Sequence, residues 1–317
     1  KTYSLYRLEC GLRSSAILGF VGLPTLGFFL ESSFSQGHYS EAGAVLILFY
    51  VLIATMPLWV RPRLLPVYIL GAPFFLGDGL PIVWGNVARF FTEDIVPSPL
   101  RNGEGVAGLI PWFNDLMINE AMPGIWNTVI LTQIALVATG ILTLLAFPLI
   151  SNHFGGPVRR TSGHIFLVIT RSTPEYILAL IFLLLWGPSM LPAVIALALH
   201  NGAIIGHLMG RHTESMVLRP DAPKGINLYA YDILPNIYRQ FLAFLFYRWE
   251  VIMRETAILG ILGITTLGFY IDSAFADLRY DRAMLLIIIT AILNLGIDVM
   301  SRTIRARLRL RTRVTLL

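Results

Sequence analysis

Charges set inside apolar stretches are the first candidates for chemistry. Glu250 and Arg254 stand one helical turn apart in the apolar stretch 237–260. Glutamate ahead of arginine at this spacing is the order that favours a pair on one helix face. A charge at membrane depth is costly and faces a cavity or a partner. Arg254, with Arg248 beside it, therefore has two readings. It lines a path for a small oxyanion, whose oxygens a guanidinium fork matches, or it belongs to a self-neutralised pair that locks two units together. Arg171 and Glu175 flank Pro174. They gate an inner mouth, or Arg171 snorkels while Glu175 caps or pairs locally where the proline opens the helix. Gly202, Gly206 and Gly210 recur every fourth residue, a pattern for close helix packing and not for chemistry.

Other chemistry-bearing residues point nowhere in particular. His200, His207 and His212 fall on or near one stretch, with no H-E-x-x-H pattern and no cysteine partner, so no metal site is expected. Cys10 is the one cysteine and has no nucleophile constellation around it. No G-x-x-x-x-G-K-[ST] loop occurs, so no catalytic residue and no cofactor is expected in this chain. If ATP drives its action, another subunit must hydrolyse it.

The elements that hold these residues are set by composition. The chain has 317 residues, 56% of them apolar and only 14% charged, where ordinary soluble domains carry roughly a quarter charged. Mean hydropathy is +0.69. A disordered chain, a disulfide scaffold and a typical cytosolic enzyme are excluded, and an all-α polytopic membrane protein remains. The pI near 9.5 is better explained by positive cytoplasmic loops than by nucleic acid.

Stretches of about 20 apolar residues cross a bilayer as helices. Eight are expected, at roughly 10–30, 42–60, 64–86, 126–150, 165–186, 189–209, 237–260 and 283–300. The arginine-rich tail after residue 300 predicts a cytoplasmic C-terminus. Alternation then puts Arg61–Arg63, Arg159 and Arg160, and the 210–236 loop inside. The acidic 87–125 segment and 265–281 fall outside. Trp84, Trp112, Trp126 and Trp186 fall at the outer interface, as an aromatic belt would place them.

The chain also repeats itself. Residues 6–49 and 247–290 align without gaps at an offset of 241, with 18 of 44 positions identical. The identities include charges and glycines, such as Glu9 with Glu250, Arg13 with Arg254, and Gly27 with Gly268. Glu9 and Arg13 would thus supply a pseudo-symmetric copy of the later pair. The expected organisation is residues 1–63 as the last two helices of a first unit and 64–317 as a second unit of six. Because the sequence opens on Lys1, some 190 further residues are expected upstream to complete the first unit, by the logic of repeats. Parallel repeats of this kind build transporters with a path between them.

The blocks RSTPEYILALIFLLLWG (171–187), LPAVIALALHNGAIIGHLMG (191–210), YRWEVIMRETAILGILGITTLGF (247–269) and DVMSR (298–302) resemble the permease subunits of binding-protein-dependent ABC importers, in the phosphonate/phosphite branch. The resemblance implies a type I ABC importer permease fold, two ATPase subunits that carry ATP and magnesium, and a soluble periplasmic binding protein. It also implies a bacterial inner-membrane location, and a second permease chain or the missing first half as partner. It identifies 211–235 as the ATPase coupling loop, with Glu214, Arg219, Asp221, Gly225, Leu234 and Pro235. That loop departs from the family pattern, since its two usual alanines are missing and Pro220 is inserted. The function expected is import of phosphonate, phosphite or a related small oxyanion by alternating access. A permease for another small solute such as a sulfonate or an amino acid, a passive channel, and a membrane-embedded enzyme are the alternatives. The enzyme lacks convergent acid, base or metal residues.

Overall fold

In the computed structural model of the chain, residues 11, 18–19, 22–59, 61, 64–75, 83–187 and 189–308 are described below. Among them every regular element is helical. The chain divides into two compact units, 1–83 and 84–317. Within the first unit the Tyr68 hydroxyl donates to the Trp59 carbonyl at 2.9 Å.

The first unit contains α1 (Leu26–Ser35), α2 (Tyr39–Trp59) and α3 (Leu65–Phe75). A tight turn precedes α1. Gly22 sits at φ 92°, and its N–H donates to the Gly19 carbonyl at 3.0 Å.

The second unit begins with short helical turns and continues into α4 (Gly105–Ile150), α5 (Pro157–Ser172), α6 (Glu175–Trp186), α7 (Met190–Glu214), α8 (Leu234–Ile258), α9 (Leu267–Ala276) and α10 (Tyr280–Arg307). At 1.5 Å per residue α4 is about 69 Å long, so part of it must extend beyond a bilayer core of about 30 Å. Three described helices, α4, α7 and α10, are long and apolar enough to cross a membrane, and five spans result if each of two bent pairs counts as one.

The first bent pair is α5 with α6, at 94°. The sequence suggested one span over 165–186. Pro174 explains the difference, because proline pushes the preceding residue out of the helical region. Thr173 takes φ −71° and ψ 122°. The second pair joins the segment ending at Leu262 to α9 across a 42° bend. Here Gly263 adopts φ 81°. A β-carbon on Gly268 would stand 1.8 Å from the Ala257 carbonyl oxygen, so no side chain fits.

The core forms where α7 lies along α4. Thr128, Thr132, Thr139 and Thr143 line the buried face of α4 with Leu131, Ala135 and Phe147. The Thr128 and Thr132 hydroxyls donate to carbonyls one turn back, at 2.6 and 2.7 Å, which satisfies them without water. Gly202, Gly206 and Gly210 face this surface. Their absent β-carbons would meet Leu142, Ala146 and Ile150 at 3.0, 3.0 and 2.2 Å.

Over the described residues, both units fold the repeated sequence alike. Helix α1 maps onto α9 and the start of α2 onto the start of α10 at the offset of 241. Gly263 repeats the bond of Gly22, donating to Gly260 at 3.0 Å. A β-carbon on Gly19 would strike the Phe28 nitrogen at 2.0 Å, and one on Gly260 the Phe269 nitrogen at 2.2 Å.

Candidate functional site

The most concentrated buried polarity lies where α6, α7 and α8 meet. Glu175 opens α6 directly after the Pro174 bend. His200 and Asn201 sit mid-way along α7, 3% and 0% exposed. Arg248 and Glu255 are two turns apart on α8 and so share one face. Asn201 ties the cluster together. Its side-chain oxygen accepts from Arg248 Nε at 2.6 Å, and its amide donates to Glu255 Oε2 at 2.8 Å. The Arg248 guanidinium also lies 3.6 Å from Glu255 Oε1. His200 Nδ1 lies 2.8 Å from the Thr173 carbonyl oxygen. A carbonyl only accepts, so Nδ1 carries the hydrogen and Nε2 is turned the other way, 3.7 Å from Glu175 Oε2. The carbonyl that receives this bond is at the bend that proline created.

Glu250 and Arg254 lie on the opposite face of α8. They pair at 3.0 Å, with side chains 27% and 57% exposed. The exposed face is open to a partner or to lipid. Glu9 and Arg13 lie outside the described residues. Arg171, one residue before the end of α5, and Glu175, the first residue of α6, stand on either side of the bend, and Glu175 reaches His200. The groups that the structure brings together include Arg248 with Glu255, and Glu175 with the His200 imidazole. Glu255 and Asn201 did not stand out in the sequence, although Glu255 is a fourth charge on the same stretch, seven residues after Arg248.

The 211–235 segment is tied to the rest of its unit. Glu214 at the end of α7 pairs with Arg160 at 3.2 Å, and Arg219 with Asp232 at 3.3 Å. Asp221 lies in the turn closed by the Ala222 N–H on the Arg219 carbonyl at 3.1 Å. Gly225 has φ 66°, and Leu234 and Pro235 start α8. Tyr229 stacks on Phe147 at 5.4 Å and donates to the Leu144 carbonyl at 3.1 Å. Val217, Ile226 and Tyr231 remain 97%, 80% and 76% exposed.

A third group joins α10 to α4. Arg282 donates to Glu120 at 2.6 Å and Asp115 at 2.8 Å. Asp281 accepts from the Ser98 N–H at 2.9 Å. Beside it lies an apolar cavity of about 440 Å³ lined by Leu109, Phe113, Leu285 and Ile288.

No protein-family model matches the chain. It is 26% identical over 332 residues to the phosphate-import permease protein PhnE of Mycolicibacterium smegmatis, covering 96% of this chain and 61% of that protein. It is 27% identical over 281 residues to the phosphite transport system permease protein PtxC of Stutzerimonas stutzeri, covering 86% of this chain and 91% of that protein. The chain is a homologue of these transport permeases. It thus spans less than two thirds of the length of PhnE, and most of the length of PtxC. Both relatives are named as permeases. A solved structure, an amino acid ABC transporter with histidines, superposes on 63% of this permease homologue and 97% of its own chain, with a TM-score of 0.49 and 16% identity. That likeness is too loose to argue from.

Proposed function

We propose that the chain is the membrane-spanning permease subunit of an ATP-driven ABC importer for phosphate, phosphite, a phosphonate or a related small oxyanion, working by alternating access. The observation that carries this reading is the similarity to phosphate and phosphite permeases over 96% and 86% of the chain, on a helical scaffold with membrane-length apolar helices. Two ATPase subunits, holding ATP and magnesium, dock on the 211–235 loop and its equivalent in a second permease half. The exposed Val217, Ile226 and Tyr231 offer apolar anchors for that contact, on a segment held in shape by the Arg219–Asp232 and Arg160–Glu214 pairs. A soluble periplasmic binding protein delivers substrate at the outer face, near 87–125 and 265–281. The chain resides in a bacterial inner membrane with a cytoplasmic C-terminus. The path runs along the exposed face of α8, where Arg254 supplies a guanidinium.

The test is reconstitution in vesicles with the ATPase and binding protein, and measurement of labelled phosphate and phosphite uptake. ATP-dependent accumulation is expected. Uptake that needs no ATPase would point to a channel, and ATPase stimulation by sulfonates or amino acids alone would overturn the substrate class.

A further inference from the structure

We propose that Glu175, His200 and Glu255 form a binding site for one divalent first-row transition-metal ion, clipping α6, α7 and α8 together. This inference does not rest on the transport reading. One imidazole nitrogen and two carboxylate oxygens, all from buried residues on three different helices, lie within 4.8 Å of one another. Metal–nitrogen and metal–carboxylate bonds of about 2.0–2.2 Å place neighbouring ligand atoms about 3.3–3.6 Å apart at tetrahedral angles. The His200–Glu175 edge of 3.7 Å is within a few tenths of that, and the edges to Glu255, at no more than 4.8 Å, must shorten when an ion binds.

The surroundings orient the ligands. His200 donates Nδ1–H to the Thr173 carbonyl at 2.8 Å, which fixes the tautomer with its lone pair on Nε2, facing Glu175. A second nitrogen bonded to a backbone carbonyl is the usual support of a metal-bound histidine. Glu255 is held by the Asn201 amide at 2.8 Å. Arg248 approaches Glu255 from its other oxygen, Oε1, so a bound ion shares this carboxylate with Asn201 and Arg248. The imidazole selects against magnesium and calcium, and the lack of sulfur selects against copper(I), which leaves the divalent ions from manganese to zinc. No sequence pattern marks this arrangement, because the histidine lies on one helix and the carboxylates come from two others. A close histidine pair elsewhere, His164 and His207, has ring centroids 5.1 Å apart and belongs to no such three-ligand group among the described residues.

The experiment uses the full chain in nanodiscs, stripped with chelator and free of ATPase, so its outcome is independent of transport. Cobalt(II) is titrated in and then displaced with zinc. One equivalent per chain is expected, with the intense visible bands of a low-coordinate cobalt site. His200→Ala and Glu255→Gln each weaken zinc binding by about tenfold or more, in the range that ligand and support changes produce, and His207→Ala leaves it unchanged. Absence of stoichiometric binding, a spectrum of fully hydrated cobalt, or equal affinity in His200→Ala each overturns the proposal. The cobalt spectrum of the unsubstituted chain decides it even if a variant fails to fold.

Discussion

Leu278 holds the left-handed backbone position that Gly37 holds 241 residues earlier, at φ 58° against 75°. Each ends the first helix of its repeated hairpin. Gly37 donates to the Phe34 carbonyl and Leu278 to the Phe275 carbonyl, both at 3.0 Å. The backbone demands the turn, and in the second unit a leucine bears its steric cost.

That cost is recoverable. A β-carbon in the left-handed region costs roughly 1–2 kcal/mol, and the freedom that glycine regains when unfolded offsets about half of it. Leu278 is 70% exposed and gives up little packing. Leu278→Gly should stabilise the chain by about 0.5–1 kcal/mol, read as a higher unfolding midpoint in detergent. A lower midpoint would contradict the strain argument.

Gly268→Ala should behave in the opposite way. Its β-carbon would overlap the Ala257 carbonyl, which is backbone and cannot swing aside. A loss of about 3 kcal/mol or more is expected, at the upper end for overpacking. Gly296 on α10 has nothing within 4 Å of that position, so Gly296→Ala should gain up to about 1 kcal/mol from helix propensity. Comparing the two by thermal unfolding checks the claim that the α8–α9 crossing is glycine-dependent.

Asn201 is the bridge between two nearly buried charges. Asn201→Leu removes a hydrogen bond from Arg248 and another from Glu255. Removing partners from buried charges costs about 3 kcal/mol. An unchanged unfolding midpoint would show that the cluster is not held through Asn201.

Arg254 lies on the exposed face, so its role separates from stability. Loss of a half-exposed ion pair is worth under about 1 kcal/mol, and Arg254→Ala should fold normally. If the guanidinium contacts substrate, ATP-driven uptake should fall by about tenfold, the loss of one charge-assisted hydrogen bond. Normal uptake would remove Arg254 from the path.

The hairpin was legible in the sequence because its glycines are required by backbone geometry, and geometry repeats whenever the fold does. The Glu250–Arg254 pair was legible too, since spacing on one helix fixes it. Which face of α8 turns inward was not, because that depends on α7, whose Asn201 pairs with residues about fifty positions away in sequence. Pro174 announced an opened helix but not the 94° turn. That bend is set where the chain after Thr173 packs on α7, a contact between distant parts of the sequence.

Because the hairpin is built twice, the chain carries its own control experiment. Gly19 and Gly260, Gly22 and Gly263, and Gly27 and Gly268 coincide, which marks what any copy must keep to turn the chain. Where the second copy has Glu255 the first has Ser14. The carboxylate is thus no part of what the two copies share in sequence, and the halves differ chemically at that position.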